Sequence, residues 1–156
     1  MFIKDYAEIE KFYASDETGE GNIDPDYFDI TWDNVEHKTD GITHSPTTNN
    51  QIITFNKEGY YLISVKIHIY KSSGTDRSIA QGQIVIDTGS GYVVIPGTLM
   101  HTYNRTNGAS NNSMNATVVW YMNEGDKIKV QATTETGSNL RTTAGGSSIS
   151  ITSLLD

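Results

Sequence analysis

From Gly59 to Tyr70 the chain reads GYYLISVKIHIY, and apolar residues recur at every second position. Tyr61, Ile63, Val65, Ile67 and Ile69 form one set, mostly β-branched. Tyr60, Leu62, Ser64, Lys66, His68 and Tyr70 form the other. This period of two predicts a long β-strand with unlike faces. The first set is expected to pack into a core between two sheets. The second set is too polar for a core, yet it carries more Tyr and Leu than an ordinary wet surface. Two readings stay open for it. One is a subunit interface; the other is an amphipathic strand whose outer face meets water, since exposed apolar residues are common.

Shorter alternations fill the rest of the chain. Phe28, Ile30 and Trp32 alternate, and Ile52, Ile53 and Phe55 mark another strand piece. Ile79 to Ile86 and Tyr92 to Ile95 read as strands, separated by the turn Asp87-Thr88-Gly89-Ser90-Gly91. Met114, Ala116, Val118, Trp120 and Met122 alternate against Ser113, Asn115, Thr117, Val119 and Tyr121. After the tight turn Asn123-Glu124-Gly125-Asp126, Ile128, Val130 and Ala132 alternate with Lys127, Lys129 and Gln131. Asn139 to Thr143 is a further strand candidate, and Ile149 and Ile151 alternate with serines near the end. His101 to Asn112 is polar and reads as a long surface loop. Eight to ten short strands at this spacing predict an all-β sandwich.

Only the N-terminal stretch follows another rule. Phe2, Tyr6, Ile9 and Tyr13 are spaced four, three and four apart, with Ile3 and Phe12 beside them. That spacing suggests a short amphipathic helix, marginal alone in water and so in need of a surface to lie on. A frayed tail is the other reading. Ser15 to Pro25 holds two glycines, a proline and four acids, and reads as a flexible linker. The expected organisation is an acidic arm and linker over residues 1–26 and a sandwich body over 27–156.

Charge sharpens this division. The 156-residue chain carries a net −8, and residues 1–26 hold eight acids against two lysines, a net −6. A nearly neutral body with an acidic arm argues against nucleic-acid binding, which needs a basic track along the phosphates. It leaves a basic protein surface as the arm's partner. There is no cysteine, which excludes a disulfide scaffold, a zinc–thiolate site and a Cys nucleophile. Charges at the start occupy the place of an apolar export signal, and no apolar run reaches membrane-spanning length. No export and no membrane insertion are therefore expected.

Candidate chemistry is sparse. His37, His44, His68 and His101 show no metal-site spacing, and His37, His44 and His101 are expected at the surface. Asp87-Thr88-Gly89 matches the short signature of aspartic proteases, but it occurs once and sits in a turn, whereas that chemistry needs two carboxylates sharing a proton. Asp24, Asp26 and Asp29 are oxygen donors that suit a hard cation, or simply a solvated acidic linker. Asn104, Asn111 and Asn115 open formal glycosylation sequons, which Asn- and Thr-rich loops produce without a processing role. No catalytic, cofactor or metal residue is assigned, and an enzyme is not expected.

Three segments carry a resemblance to the globular head of complement C1q and the wider tumour necrosis factor-like superfamily. FNKEGYYLISVKIHIY resembles that family's glycine-led long strand. Trp120 to Ile128 resembles its "LxxGDxV" hairpin, and Ser147 to Ile151 stands in the place of its closing strand, with Ile149 where the family has an aromatic. The resemblance implies a ten-stranded jelly-roll sandwich, preceded here by a short helical or extended arm, that assembles as a homotrimer. It also implies that the long strand, the hairpin's second strand and the closing strand share the sheet facing the threefold axis. Tyr60, Leu62, Lys66, Tyr70, Lys129, Ser148 and Ser150 are then expected at the trimer interface.

The function expected from these features is a non-enzymatic virion structural protein of a tailed bacteriophage. It would be made in the host cytoplasm and carried on the capsid surface as a decoration or cement protein, or as a head fibre. Phe2, Tyr6, Ile9 and Tyr13 are the expected docking residues toward capsid or tail proteins. The alternative is the receptor- or glycan-binding tip of a tail fibre or spike, with Tyr92, His101, Tyr103 and Arg105 as the contacts.

Overall fold

The computed structural model describes residues 8–19, 26–74, 77–104, 111–134 and 139–154. Among these residues every regular element is a β-strand, and all the pairings between strands are antiparallel. With strands numbered in chain order, the first sheet contains β1 (Lys11–Asp16), β3 (Asn34–Lys38), β6 (Gly59–Lys71), β10 (Asn111–Met122), β12 (Leu140–Thr142) and β13 (Ser147–Ser153). Its order is β10-β6-β13-β1-β3, with β12 also paired to β6. The second sheet contains β2 (Phe28–Asp29), β4 (Ile42–Thr43), β5 (Ile53–Phe55), β7 (Ser78–Asp87), β8 (Tyr92–Val94), β9 (Met100–Asn104) and β11 (Lys127–Thr134). Its order is β4-β5-β11-β7-β8, with β2 on β11 and β9 on β7.

The long strand expected at Gly59 is β6, and its alternation is the alternation of burial. Tyr61, Ile63, Val65, Ile67 and Ile69 are all buried, while Tyr60, Leu62, Ser64 and Lys66 are exposed. The core also takes Ile84 and Ile86 from β7, Ile128, Val130 and Ala132 from β11, and Ile149 and Ile151 from β13. Each fully buried aliphatic side chain stabilises the fold by about 1.5–3 kcal/mol. Phe55 and Tyr61 meet edge to face across the sandwich at 4.7 Å between centroids. Tyr61 keeps its hydroxyl satisfied by donating to the Lys57 carbonyl at 3.0 Å. Gly82 sits where the sheets press closest. A Cβ there would lie 3.1 Å from both Ile67 Cδ1 and Met114 Cε, so this position has no room for a side chain.

Two sequence expectations need correction here. Phe12 and Tyr13 do not share a helical stripe, because Lys11–Asp16 is strand β1, held between β13 and β3. Phe12 and Ala14 are buried in the core, and Tyr13 points the other way and is exposed. The physical reason is plain. A short lone helix has little to stabilise it, whereas β1 gains a ladder on both edges and buries an aromatic ring. The sandwich therefore begins well before residue 26. The His101–Asn112 stretch is likewise not one loop: His101–Asn104 lies in β9, Asn111 and Asn112 open β10, and residues 105–110 lie outside the described residues.

Glu10 is the second device that ties this segment down. It reads as one more acid of the arm, yet it is only 3% exposed. Its carboxylate accepts hydrogen bonds from the Gly41 amide at 2.9 Å and from the Thr39 hydroxyl, and it pairs with the Lys57 ammonium. Burial pushes its pKa up, but the bonds from Lys57, Thr39 and Gly41 outweigh burial and hold it below the ordinary carboxylate value. The backbone joins in: the Glu10 amide donates to Ser153 Oγ at 2.8 Å, and the Ser153 amide donates to the Glu10 carbonyl at 2.8 Å.

Phe12→Ala is expected to destabilise the domain by about 3–5 kcal/mol in urea unfolding; a change within 0.5 kcal/mol, as at an ordinary surface position, would mean that β1 is a frayed arm. A carboxyl with a depressed folded pKa stabilises the fold above its unfolded pKa, about 4.3, and loses that contribution as pH falls through the folded value. Glu10→Gln should therefore lower stability near neutral pH by about 1–3 kcal/mol and flatten the acid-side decline. Equal acid-side slopes in the two proteins would remove Glu10 from this role.

Candidate interaction surface

The strand register assigns the outer face of the first sheet row by row. Tyr60 lies opposite Tyr121, and Leu62 lies between Val119 on β10 and Thr152 on β13. The next row is Thr117, Ser64, Ser150 and Tyr13, followed by Asn115, Lys66, Ser148 and Ser15. The face therefore changes along the strands, from aromatic and aliphatic at the Tyr60 end to hydroxyl and charge beyond it.

At the apolar end the side chains touch one another and face outward. The Tyr60 and Tyr121 rings meet edge to face, with centroids 5.1 Å apart and planes at 76°. Tyr60, Leu62, Val119 and Tyr121 are exposed by 48%, 36%, 49% and 42%. Exposed Leu154 joins them, because its amide donates to the Tyr60 carbonyl at 2.8 Å. Each of these residues faces outward because its neighbours in sequence face the core. In the middle of the face the side chains are small. Ser64 and Thr117 hydroxyls bond each other at 3.0 Å, and Ser148 and Ser150 present no bulk.

Of the expected interface residues, Tyr60, Leu62, Lys66, Tyr70, Ser148 and Ser150 share this sheet, on β6 and β13. Lys129 does not, which corrects the expectation that the hairpin's second strand lies in the same sheet. Lys129 is on β11, in the middle of the second sheet. There its ammonium pairs with Asp29 at 2.7 Å and lies 4.5 Å from the centre of the Tyr92 ring. The hairpin after Trp120 crosses from one sheet to the other, because Met122 and Ile128 must both point inward from opposite layers. Val119, Tyr121 and Tyr13 complete the face and were missed. The alternation of β10 marks the first two as outward, and the helical reading of the N-terminus concealed the third.

Other candidates separate. On β7, Tyr92 pairs opposite Asp87 and Tyr103 opposite Ile79. These positions are eight residues apart, about 26 Å along the strand, so the two tyrosines do not converge on one spot. Arg105 lies outside the described residues, as do Phe2 and Tyr6 of the expected docking stripe. Ile9 is exposed, and Tyr13 belongs to the sheet face. His37 and His101 are exposed, but His44 is buried, with Nδ1 2.9 Å from the Ile52 carbonyl and Nε2 2.8 Å from the Trp32 carbonyl. His44 is thus a brace between loops, where a surface residue was expected.

The acidic candidates have structural partners. Asp29 is held by Lys129 and by Gln131 Nε2 at 2.8 Å, and Asp24 lies outside the described residues. Among the described residues no three carboxylate or imidazole groups gather as a metal site would require. Asp87 Oδ1 accepts the amides of Gly89 and Gly91 at 2.8 and 2.9 Å. Those bonds hold the carboxyl below its ordinary pKa. The Asp-Thr-Gly tripeptide is here the scaffold of a hairpin turn, in which Gly89 takes φ 107°. Asn104, first residue of a sequon, is fully buried, so its side-chain amide is closed to modification.

The two antiparallel sheets and their crossed strand order define the class as a tumour necrosis factor-like jelly roll. The chain matches no protein-family model and no curated protein sequence. Among solved structures it is similar to murine APRIL at pH 8.0, with a TM-score of 0.68 and 12% identity over 94% of this chain and 100% of that one. It is also similar to Eiger TNF from S. frugiperda, with a TM-score of 0.60 and 15% identity over 95% of this chain and 92% of that one. At such identities the likeness is one of fold.

Proposed function

We propose that this chain is a non-catalytic association domain of the C1q and tumour necrosis factor type, forming homotrimers through the outer face of its first sheet. The observation that carries the reading is the contiguous apolar end of that face, Tyr60 against Tyr121 and Leu62 against Val119, left uncovered by the protomer itself. Contiguous exposed apolar surface with tyrosine at its centre marks association sites. Small Ser64, Ser148 and Ser150 beside it permit another protomer to approach closely. A contact of standard size buries about 800 Å² per partner, a modest share of the protomer's 8460 Å².

Within that reading the trimer serves as a structural piece of a larger assembly, a virion decoration, cement or head-fibre protein carried on a phage capsid. What supports this finer reading is the family resemblance, the polar Ser, Thr and Asn loops and the acid-rich N-terminal segment. The fold hosts many roles, so this step is analogy. Docking falls to the residues ahead of Glu10, since β1 is committed to the sheet. Three such segments per trimer act together, so each contact is allowed to be weak. A receptor- or glycan-binding fibre tip is the alternative placement of the same trimer.

Light scattering is expected to give three times the chain mass. Leu62→Asp should yield a folded monomer, because assembly would bury an unpaired charge. A monomeric parent protein, or a Leu62→Asp variant that remains trimeric, would overturn the interface. Deleting residues 1–8 should leave a folded trimer that no longer decorates particles. Full occupancy by the truncated trimer would remove the docking role.

A further inference from the structure

The outer face of the first sheet ends in a different kind of surface from the one at which it starts. Tyr70 lies ten residues beyond Tyr60 on β6, about 33 Å along the strand. At the Tyr70 end there is an open cleft of about 570 Å³ lined in part by Thr18, His68, Tyr70, Asn111, Arg141 and Thr143. The register explains the grouping. Tyr70 has Arg141 opposite it on β12 and Asn111 opposite it on β10. Directly opposed side chains on one face lie about 5 Å apart at Cβ. An aromatic ring is thus flanked by a guanidinium on one side and a carboxamide on the other.

The walls are braced. His68 Nδ1 and Thr143 Oγ1 bond at 2.8 Å. Gly146 lets the chain close over that imidazole, since a Cβ there would lie 2.8 Å from the His68 Cβ. Burial and the nearby Lys66 ammonium hold His68 below its ordinary pKa, so it faces the cleft uncharged at neutral pH. On the other wall, the Asp33 carboxylate accepts the amides of Glu17 at 2.6 Å and Thr18 at 3.1 Å. Asp16 Oδ1 accepts the Gly19 amide at 2.8 Å. The Glu17 carboxylate accepts the Ser15 hydroxyl at 2.8 Å.

This donor set has a distinct chemistry. A guanidinium binds a carboxylate through two parallel N–H bonds. A tyrosine ring offers an apolar face with a polar tip, suited to the C–H face of a pyranose. An amide and hydroxyls meet sugar hydroxyls, which both donate and accept. In a chain of net −8, Arg141 with Lys66 near His68 makes this end of the face locally cationic. We propose that the cleft binds a carboxylate-bearing saccharide, with Arg141 taking the carboxylate, Tyr70 lying against the sugar ring, and Asn111 and Thr143 meeting its hydroxyls. The site is built within one protomer and does not rest on the trimer. It also places saccharide recognition on the opposite sheet from Tyr92 and Tyr103.

The test is an amide-resolved NMR titration of the full chain with glucuronic acid and with the methyl glycoside of N-acetylneuraminic acid, beside galactose and acetate. The acidic sugars should give saturable shifts at Tyr70, Asn111, Arg141 and Thr143, and galactose and acetate should give none at the same concentrations. Arg141→Gln should weaken binding at least about tenfold, equivalent to 1.4 kcal/mol, with an unchanged thermal midpoint. If that variant fails to fold, exposed Asn111→Ala is the substitute and should also weaken binding. The proposal is overturned by no shift at these residues with either acidic sugar, by equal binding of galactose, or by equal binding of acetate. Unchanged affinity in a folded Arg141→Gln, or in Asn111→Ala where that is the variant used, overturns it as well.

Discussion

Each step along β6 turns the next side chain to the opposite side of the sheet, and most of the molecule follows from that constraint. The strand is paired along both edges, by β10 on one side and by β13 and β12 on the other. Its register therefore sets the register of both neighbours. A slip of one residue would drive Lys66 and His68 into the core and expose five apolar side chains, Tyr61 among them. The core and the outer face are two readings of the same thirteen residues. Neither can change without the other.

The N-terminal segment shows how a polar contact holds an apolar one in place. Phe12 and Ala14 supply the burial, but a strand entering a sheet from a chain end has little to prevent fraying. Glu10 closes that end by gathering Lys57, Thr39 and Gly41 onto one carboxylate. A buried carboxylate is costly unless its lone pairs are filled by good donors, and here they are. The same acid is a stabilising element near neutral pH and a weakness in acid.

The outer face is graded, and the gradient separates two kinds of association. Tyr60, Leu62, Val119 and Tyr121 offer apolar area, which favours contact with another protein surface and gives little chemical selectivity. Tyr70, Arg141 and Asn111 offer direction and charge, which suit a small polar ligand. The fold sets these ends apart on the same long strand. It does not choose the partner, since jelly rolls of this class carry unrelated roles.

Sequence by itself determined what depends on local periodicity. The alternation in β6, β7, β10, β11 and β13 assigns their inner and outer faces, and the turn chemistry at Asp87 and Asn123 marks where strands reverse. These signals are carried by neighbours in the chain, so they are legible without the fold. Tertiary structure alone decided which strands lie side by side. Phe12 with Tyr13 fits a helical stripe as well as a strand until β13 and β3 are there to pair with it. Lys129 has the right parity for an outer face, but only the crossover after Trp120 assigns it to the other sheet. The row Arg141–Tyr70–Asn111 joins residues from three distant segments, and Glu10 finds Lys57 across forty-seven positions. Such juxtapositions come from long-range antiparallel register, which is a property of pairs of segments and has no signature within either one.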